Sequence, residues 1–136
     1  MFTILVATGC SKEVENNNIH LATGGTGGTY FAYGNALKNV AKQESDMDMS
    51  IQISAGSAAN IRLIENNIVD MAIVQNDTLT DAVGGKGEFE GNPVKKTKAV
   101  AGLYTENYQI IVNKKLQIKS VEDLKGLRVS VGEEGS

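Results

Sequence analysis

Short apolar runs alternate along this chain with segments of helical periodicity, and this alternation restricts the possible fold more than any other feature. Apolar runs at Ile19–Ala22, Met49–Ser54 and Met71–Val74 predict three strands. Between them, apolar residues recur at helical spacing in Tyr30–Gln43 and Ala58–Ile68. This β-α-β-α-β order predicts an α/β domain with a mainly parallel sheet. Because such crossover connections are right-handed, we expect the first strand between the other two.

The second half of the chain carries weaker signals. Asp77 is a suitable N-cap for a short helix that extends to Val83, and the polar segment Gly84–Lys98 predicts a surface loop. A helix start is indicated at Ser120–Asp123, with a stop at Gly126. Three more strands are predicted, at Ala99–Tyr104, Tyr108–Val112 and Leu127–Val131.

Three turns share one design, in which a strand is followed by small residues and then by a helix N-terminus. They are Thr23–Thr29, Ser54–Ser57 and Gly132–Ser136, the third of which is cut short where a further helix is expected to begin. A helix N-terminus presents unpaired N–H groups and partial positive charge, which favour a carboxylate or phosphate. In a parallel sheet such turns line a crevice beyond the strand ends, so together they predict an anion site. The alternative for each turn alone is a tight turn with no ligand.

Composition excludes several classes of function. The chain has 136 residues, 41% of them hydrophobic, which is enough for one compact domain. Its net charge of −3 gives no electrostatic reason to bind nucleic acid. One cysteine and one histidine, Cys10 and His20, cannot supply a Cys/His zinc site or a disulfide framework. No carboxylate pair is placed for acid–base catalysis, so we expect no metal, no cofactor and no enzyme.

The N-terminus changes character sharply at Cys10. Residues before it are apolar or small, whereas the run that follows is polar. Ala7–Cys10 resembles a bacterial lipoprotein cleavage box, which makes residues 1–10 a truncated lipoprotein signal with the lipid on Cys10 and residues 11–18 a tether. The alternative is a buried first strand at Phe2–Ala7 with an inert cysteine.

Four segments together resemble a known family. Ala22–Tyr30, Ser57–Ile64, Asp70–Gln75 and Ile118–Gly132 are similar to the TAXI family, the solute-binding proteins of TRAP transporters. The resemblance covers Ile19–Ser136.

The resemblance implies a type II periplasmic-binding-protein fold, in which two α/β lobes enclose a ligand cleft. It places lobe one at residues 19–106, mostly complete with its sheet in the order 2-1-3, and the start of a truncated lobe two at residues 107–136. The chain would then be an N-terminal fragment of a longer protein. Asn67 stands where the family usually has glycine, and asparagine can adopt the same left-handed conformation.

The function implied is capture of a small organic anion, such as a glutamate-like amino acid or another carboxylate, for uptake. The protein would be extracytoplasmic, in the periplasm or at the cell surface, attached to the membrane only through a lipid anchor. Its partner would be the TRAP transporter membrane permease. Two alternatives remain at this stage: an enzyme that holds a phosphorylated cofactor on the glycine-rich loop, and the effector-binding domain of a regulator.

The candidate site follows from the turns and from the crossover between lobes. We expect the first two turns to contact a carboxylate, Gln75 to contact a polar group and Tyr108 to pack against apolar parts of the ligand. Tyr33, at helical spacing, is expected in the core. The candidate residues are Thr26, Gly27, Gly28, Thr29, Tyr30, Ser54, Ala55, Gly56, Ser57, Gln75, Tyr108, Gly132 and Ser136.

Overall fold

A computed structural model of the chain describes residues 18–45 and 47–135. The predicted signal with Cys10, residues 11–17 of the predicted tether, and Ser136 lie outside the described residues. Asn18, predicted as the last tether residue, is instead the first residue of a strand. The elements are β1 (Asn18–Ala22), α1 (Thr29–Glu44), β2 (Asp48–Gln52), α2 (Ser57–Glu65), β3 (Met71–Ala72) and α3 (Asn76–Gly84), with 3₁₀ turns at Gly87–Phe89 and Glu122–Leu124.

The described strands form one parallel sheet in the order β2-β1-β3. Leu21 of β1 lies opposite Ile51 of β2 on one side and Met71 of β3 on the other. The sequence-based prediction of a parallel α/β fold with the first strand in the centre is therefore confirmed. β1 is the central strand, and its last two residues, Leu21 and Ala22, are fully buried, whereas His20 is exposed.

Two apolar clusters form the core. One contains Leu21, Met49 and Ile73, with residues of α1 packed against it. The other joins α2 and α3, and Val74 packs against it. Because consecutive residues of an extended segment point in opposite directions, Ile73 and Val74 place the two clusters on opposite faces of the sheet. This two-sided arrangement leaves the carboxyl ends of the strands accessible for a site.

α2 ends earlier than the apolar spacing predicts. Asn67 adopts a left-handed conformation with φ of 55°, as expected for a residue that replaces glycine there. The backbone N–H groups of Asn67 and Ile68 donate to Ile64 and Leu63, which completes the end of the helix. Ile68 consequently lies beyond α2, with its side chain exposed.

Two predictions for the later part of the chain are wrong. The segments predicted as strands at 99–104, 108–112 and 127–131 contain no strand, because no neighbouring segment among the described residues pairs with their backbone. Many of their apolar side chains are exposed, for example Ile111 at 92%. Where a helix start was predicted at 120–123, the structure has only the short 3₁₀ turn.

Asp77 is not the N-cap of α3, as the sequence suggested. Gln75 has the extended cap conformation, and the helix begins at Asn76, one residue before the predicted cap. The backbone N–H of Gln75 donates to the Ser57 hydroxyl at 2.9 Å, which fixes the chain where it enters the helix. Asp77 therefore lies in the first turn of α3, where its carboxylate still interacts favourably with the helix dipole.

α1 packs so closely on β1 that one helical position accepts only glycine. A methyl group at Gly34 would come within 2.5 Å of the Thr23 Cγ2 atom, and Thr23 is fully buried. We expect Gly34→Ala to lower the free energy of unfolding by about 1–3 kcal/mol, because overpacking outweighs the better helix propensity of alanine. Urea denaturation measures the change. Asn39→Ala, at an exposed position of α1, is the control and should not destabilise; equal stability of the Gly34 variant would contradict the packing.

Candidate ligand-binding site

Asn60 holds the carboxyl ends of the strands together. It lies in α2 and is fully buried. Its amide group donates to the carbonyl oxygens of Thr23, after β1, and Ile73, after β3, at 2.6 and 2.8 Å. The Ser54 hydroxyl, after β2, donates to the Asn60 side-chain oxygen at 2.6 Å. One side chain thus fixes the relative positions of all three turns that follow the strands.

The first turn leads directly into the N-terminus of α1. Gly28 is the N-cap residue, in an extended conformation, and has no side chain with which to cap the helix. The turn itself is closed by the Gly28 N–H, which donates to the Gly25 carbonyl at 2.9 Å. The first N–H groups of α1 have no intrahelical acceptor and are therefore available to an anion.

The second turn forms the N-terminus of α2. Gly56 is the N-cap residue and has φ of 138°, a conformation that is essentially restricted to glycine. The Gly56 N–H donates to the Ser54 hydroxyl at 3.1 Å, so the turn is linked to the Asn60 network. Farther along α2, the Ala59 N–H donates to the Gly135 carbonyl at 3.1 Å. Part of the predicted third turn therefore lies beside this helix N-terminus.

Tyr30 links the two helix N-termini. Its hydroxyl lies 3.2 Å from that of Ser57 and donates to Glu106 at 3.3 Å. Ser57 in turn accepts the N–H of Gln75. Burial, with a further contribution from the Glu106 carboxylate, raises the pKa of the Tyr30 hydroxyl. Tyr30 is therefore protonated at neutral pH and acts as a hydrogen-bond donor.

These groups surround an open cavity of about 400 Å³, a volume in the range of small-molecule sites. It lies between the N-termini of α1 and α2, beyond the carboxyl ends of the strands, where an α/β sheet places its ligands. The lining residues are Gly24, Gly28, Thr29, Tyr30, Ala55, Gly56, Ser57, Gln75, Glu106 and Tyr108.

Glu106 brings a carboxylate to the wall of this cavity. Besides Tyr30, the Gln75 side-chain amide and the Tyr104 hydroxyl donate to it, at 3.2 and 2.9 Å. Burial and the bond to Glu106 raise the pKa of Tyr104, so this hydroxyl is also a protonated donor. Tyr104 stacks on Tyr33, with ring centroids 4.6 Å apart. Tyr33 is partly exposed and supports this segment, so its predicted core position is wrong.

Tyr108 closes one side of the cavity and is attached to α3. Its hydroxyl donates to the Asp77 carboxylate at 2.9 Å. This bond lowers the pKa of Asp77 and raises that of Tyr108. Tyr108 is otherwise 85% exposed, so its side chain is accessible to a ligand.

The structure brings most of the candidate residues together. Thr26, Gly27 and Gly132 lie outside the cavity lining, and Ser54 lies behind it as part of the Asn60 network. Ser136 is outside the described residues. Those that line the cavity are Gly28, Thr29, Tyr30, Ala55, Gly56, Ser57, Gln75 and Tyr108.

Four residues of the site are not among the predicted site residues. Asn60 and Thr23 are fully buried polar residues that position the turns, and Gly24 and Glu106 line the cavity. Gly24 belongs to a turn that the sequence did single out. Glu106 follows Tyr104 in the segment predicted to contain the crossover between lobes, where only aromatic residues were expected beside a ligand, and nothing in its residue type indicates that it faces the site.

Within the described ranges, no group of three or more His, Cys, Asp or Glu side chains is arranged to hold a metal ion. The same part of the chain contains no helix that is both long and apolar enough to cross a membrane.

The fold and the cavity define a class of protein. A parallel sheet in the order 2-1-3, with a polar cavity between helix N-termini at its carboxyl edge, is the arrangement of an α/β lobe that binds a small ligand. The model of the NMT1-like family matches residues 21–136, and the chain belongs to this family. The NMT1-like family has a periplasmic-binding-protein fold, binds substrates and is typically extracytoplasmic.

Proposed function

We propose that this protein is the extracytoplasmic solute-binding component of a TRAP transporter, of the TAXI type, and that it captures a small organic carboxylate. The observation that carries the proposal is the cavity between the N-termini of α1 and α2, neither of which has a side-chain cap, although the Gly135 carbonyl accepts the Ala59 N–H of α2. Two helix dipoles directed at one cavity favour a negatively charged ligand more strongly than one does.

The neutral donors around the cavity fit a carboxylate. The Ser57 hydroxyl and the Gln75 amide, which has a second N–H besides the one donated to Glu106, lie on its wall next to the helix N-termini. Hydrogen bonds to a charged group are worth about 1.5–3 kcal/mol each, so a few of them suffice for micromolar affinity. The protein uses no cofactor and performs no chemical step in this proposal.

The proposal also includes a division into two lobes and attachment to the membrane through a lipid. Residues 19–106 serve as lobe one and residues 107–136 begin lobe two, so that Glu106 and Tyr108 lie at the crossover. Closure of the lobes on the ligand creates the form that the membrane permease recognises. Cys10 carries the lipid that keeps the protein at the membrane surface.

A thermal-shift screen tests the proposed ligand class. We expect small mono- and dicarboxylic acids, including amino acids, to raise the melting temperature of the purified protein, because a ligand at 100 times its Kd adds about 2.7 kcal/mol of stability. Nucleotides and sugar phosphates serve as the comparison set. Stabilisation by a phosphorylated compound and by no carboxylate would contradict the proposal and favour a cofactor-binding enzyme.

A further inference from the structure

Glu106 is the only charged residue among the described residues that line the cavity. Its carboxylate accepts hydrogen bonds from Tyr30, Gln75 and Tyr104, at 3.3, 3.2 and 2.9 Å. All three donors are neutral, so they orient the carboxylate without neutralising it. A cavity that contains such a charge attracts a positive group and repels a negative one.

The cavity is therefore electrically asymmetric. The N-termini of α1 and α2 make one wall positive, whereas Glu106 makes another wall negative. Asp77, bonded to Tyr108 at 2.9 Å, adds negative charge on the same side as the crossover segment. A ligand that matches both walls carries an anionic group and a cationic group on one small molecule.

We propose that Glu106 is a specificity-determining residue that binds a positively charged amino group of the ligand, which makes the ligand a zwitterionic amino acid. This inference rests on the proposed function, since the helix N-termini have to hold the ligand carboxylate. The hydrogen bonds from Tyr30 and Gln75 keep Glu106 in place when the cavity is empty. On binding, the ammonium group becomes a further donor to the same carboxylate.

A simple dicarboxylic acid fits this cavity less well. It satisfies the helix N-termini but brings a second negative charge toward Glu106, with no lysine, arginine or histidine among the described lining residues to compensate. The amino group of an amino acid removes this conflict. The selectivity therefore comes from one carboxylate of the protein.

The test uses pairs of ligands that differ only in the amino group. The common L-amino acids are titrated calorimetrically into the purified protein, and each binder is compared with the acid that lacks the amino group, such as glutamate with glutarate. We expect the amino acid to bind at least about 10-fold more tightly. In Glu106→Gln, which keeps the size and the acceptor oxygen, its affinity should fall roughly 10- to 100-fold, while that of the des-amino acid stays the same or rises.

The outcomes separate this inference from the proposed function. If the des-amino acid binds the unmodified protein as tightly as the amino acid, Glu106 does not select the ligand, although capture of carboxylates stands. Equal losses for both ligands in Glu106→Gln would show that Glu106 only supports Tyr30 and Gln75, and would also overturn the inference. Binding of no acid at all would overturn both proposals.

Two controls complete the experiment. Glu44→Gln removes one negative charge from the exposed end of α1, outside the cavity, and should leave both affinities unchanged. The comparison of paired ligands on the unmodified protein needs no variant. It shows whether the protein prefers ligands with an amino group even if Glu106→Gln does not fold.

Discussion

Replacing Asn60 with alanine should lower the free energy of unfolding by about 3–5 kcal/mol, the largest loss we expect from any polar substitution in this chain. The change removes hydrogen bonds of 2.6 and 2.8 Å to the Thr23 and Ile73 carbonyls and one of 2.6 Å from Ser54. Thr23 and Ile73 are buried, so water cannot replace the amide that their carbonyls lose. Urea denaturation monitored by circular dichroism measures the loss.

Asn66→Ala is the matched control for this prediction. Asn66 follows the last residue of α2, and its side-chain amide donates to the Arg62 carbonyl at 2.8 Å, but the residue is exposed. Water can take the place of the lost bond, so we expect a loss below about 1 kcal/mol. A similar small loss for Asn60→Ala would show that the buried network contributes little to stability.

Asn60 also illustrates what the sequence could not predict. The positions of the strands follow from their apolar runs, and the order expected from crossover connections, with the first strand in the centre, is the order in the structure. A single polar residue on the buried face of a helix adds nothing to the apolar spacing, so the sequence does not reveal it. Its role depends on which carbonyl groups the fold places around it, and these come from Thr23, Ser54 and Ile73, far apart in sequence.

The turns of the candidate site were predictable for a different reason. Glycine-rich turns after strands are a local pattern, and parallel strands bring their carboxyl ends to one edge of the sheet. Gly28, Gly56 and Ser57 could therefore be placed near one another from the sequence alone. Glu106 could not, because its position depends on the path of a segment without regular structure.

The wrongly predicted strands have a related cause. Apolar alternation in residues 99–131 satisfies the local requirement for a strand, but a strand also needs a partner whose backbone completes the hydrogen bonds. The sequence pattern indicates the apolar alternation but not whether a partner strand is present. The same limit applies to Asp77, whose residue type suits an N-cap although the N-cap of α3 is Gln75, two residues before the predicted one.

Gly28 offers a direct way to test whether an anion binds at the N-terminus of α1. The residue has φ of −92° and ψ of 162°, the extended conformation that N-cap residues with side chains adopt. An aspartate there can accept the N–H groups that the ligand carboxylate would otherwise use. Its Cβ atom would lie 3.2 Å from the Gly25 carbonyl, a close contact that a small shift of the turn relieves.

Gly28→Asp should therefore weaken binding of a carboxylate ligand by about 100-fold or more, since two like charges about 5 Å apart repel by about 3 kcal/mol at an effective dielectric constant of about 20. The same change should preserve or raise the melting temperature, because aspartate caps α1 where glycine does not. Calorimetric titration and thermal melting measure the two effects separately.

Gly27→Asp is the matched control. It adds the same charge to the same turn outside the cavity lining, with no atom within 4 Å of its Cβ position, and should change affinity far less. If both variants lose the same affinity, the negative charge on the turn weakens binding and the ligand does not bind at the N-terminus of α1. Tighter binding by Gly28→Asp would identify the ligand as a cation.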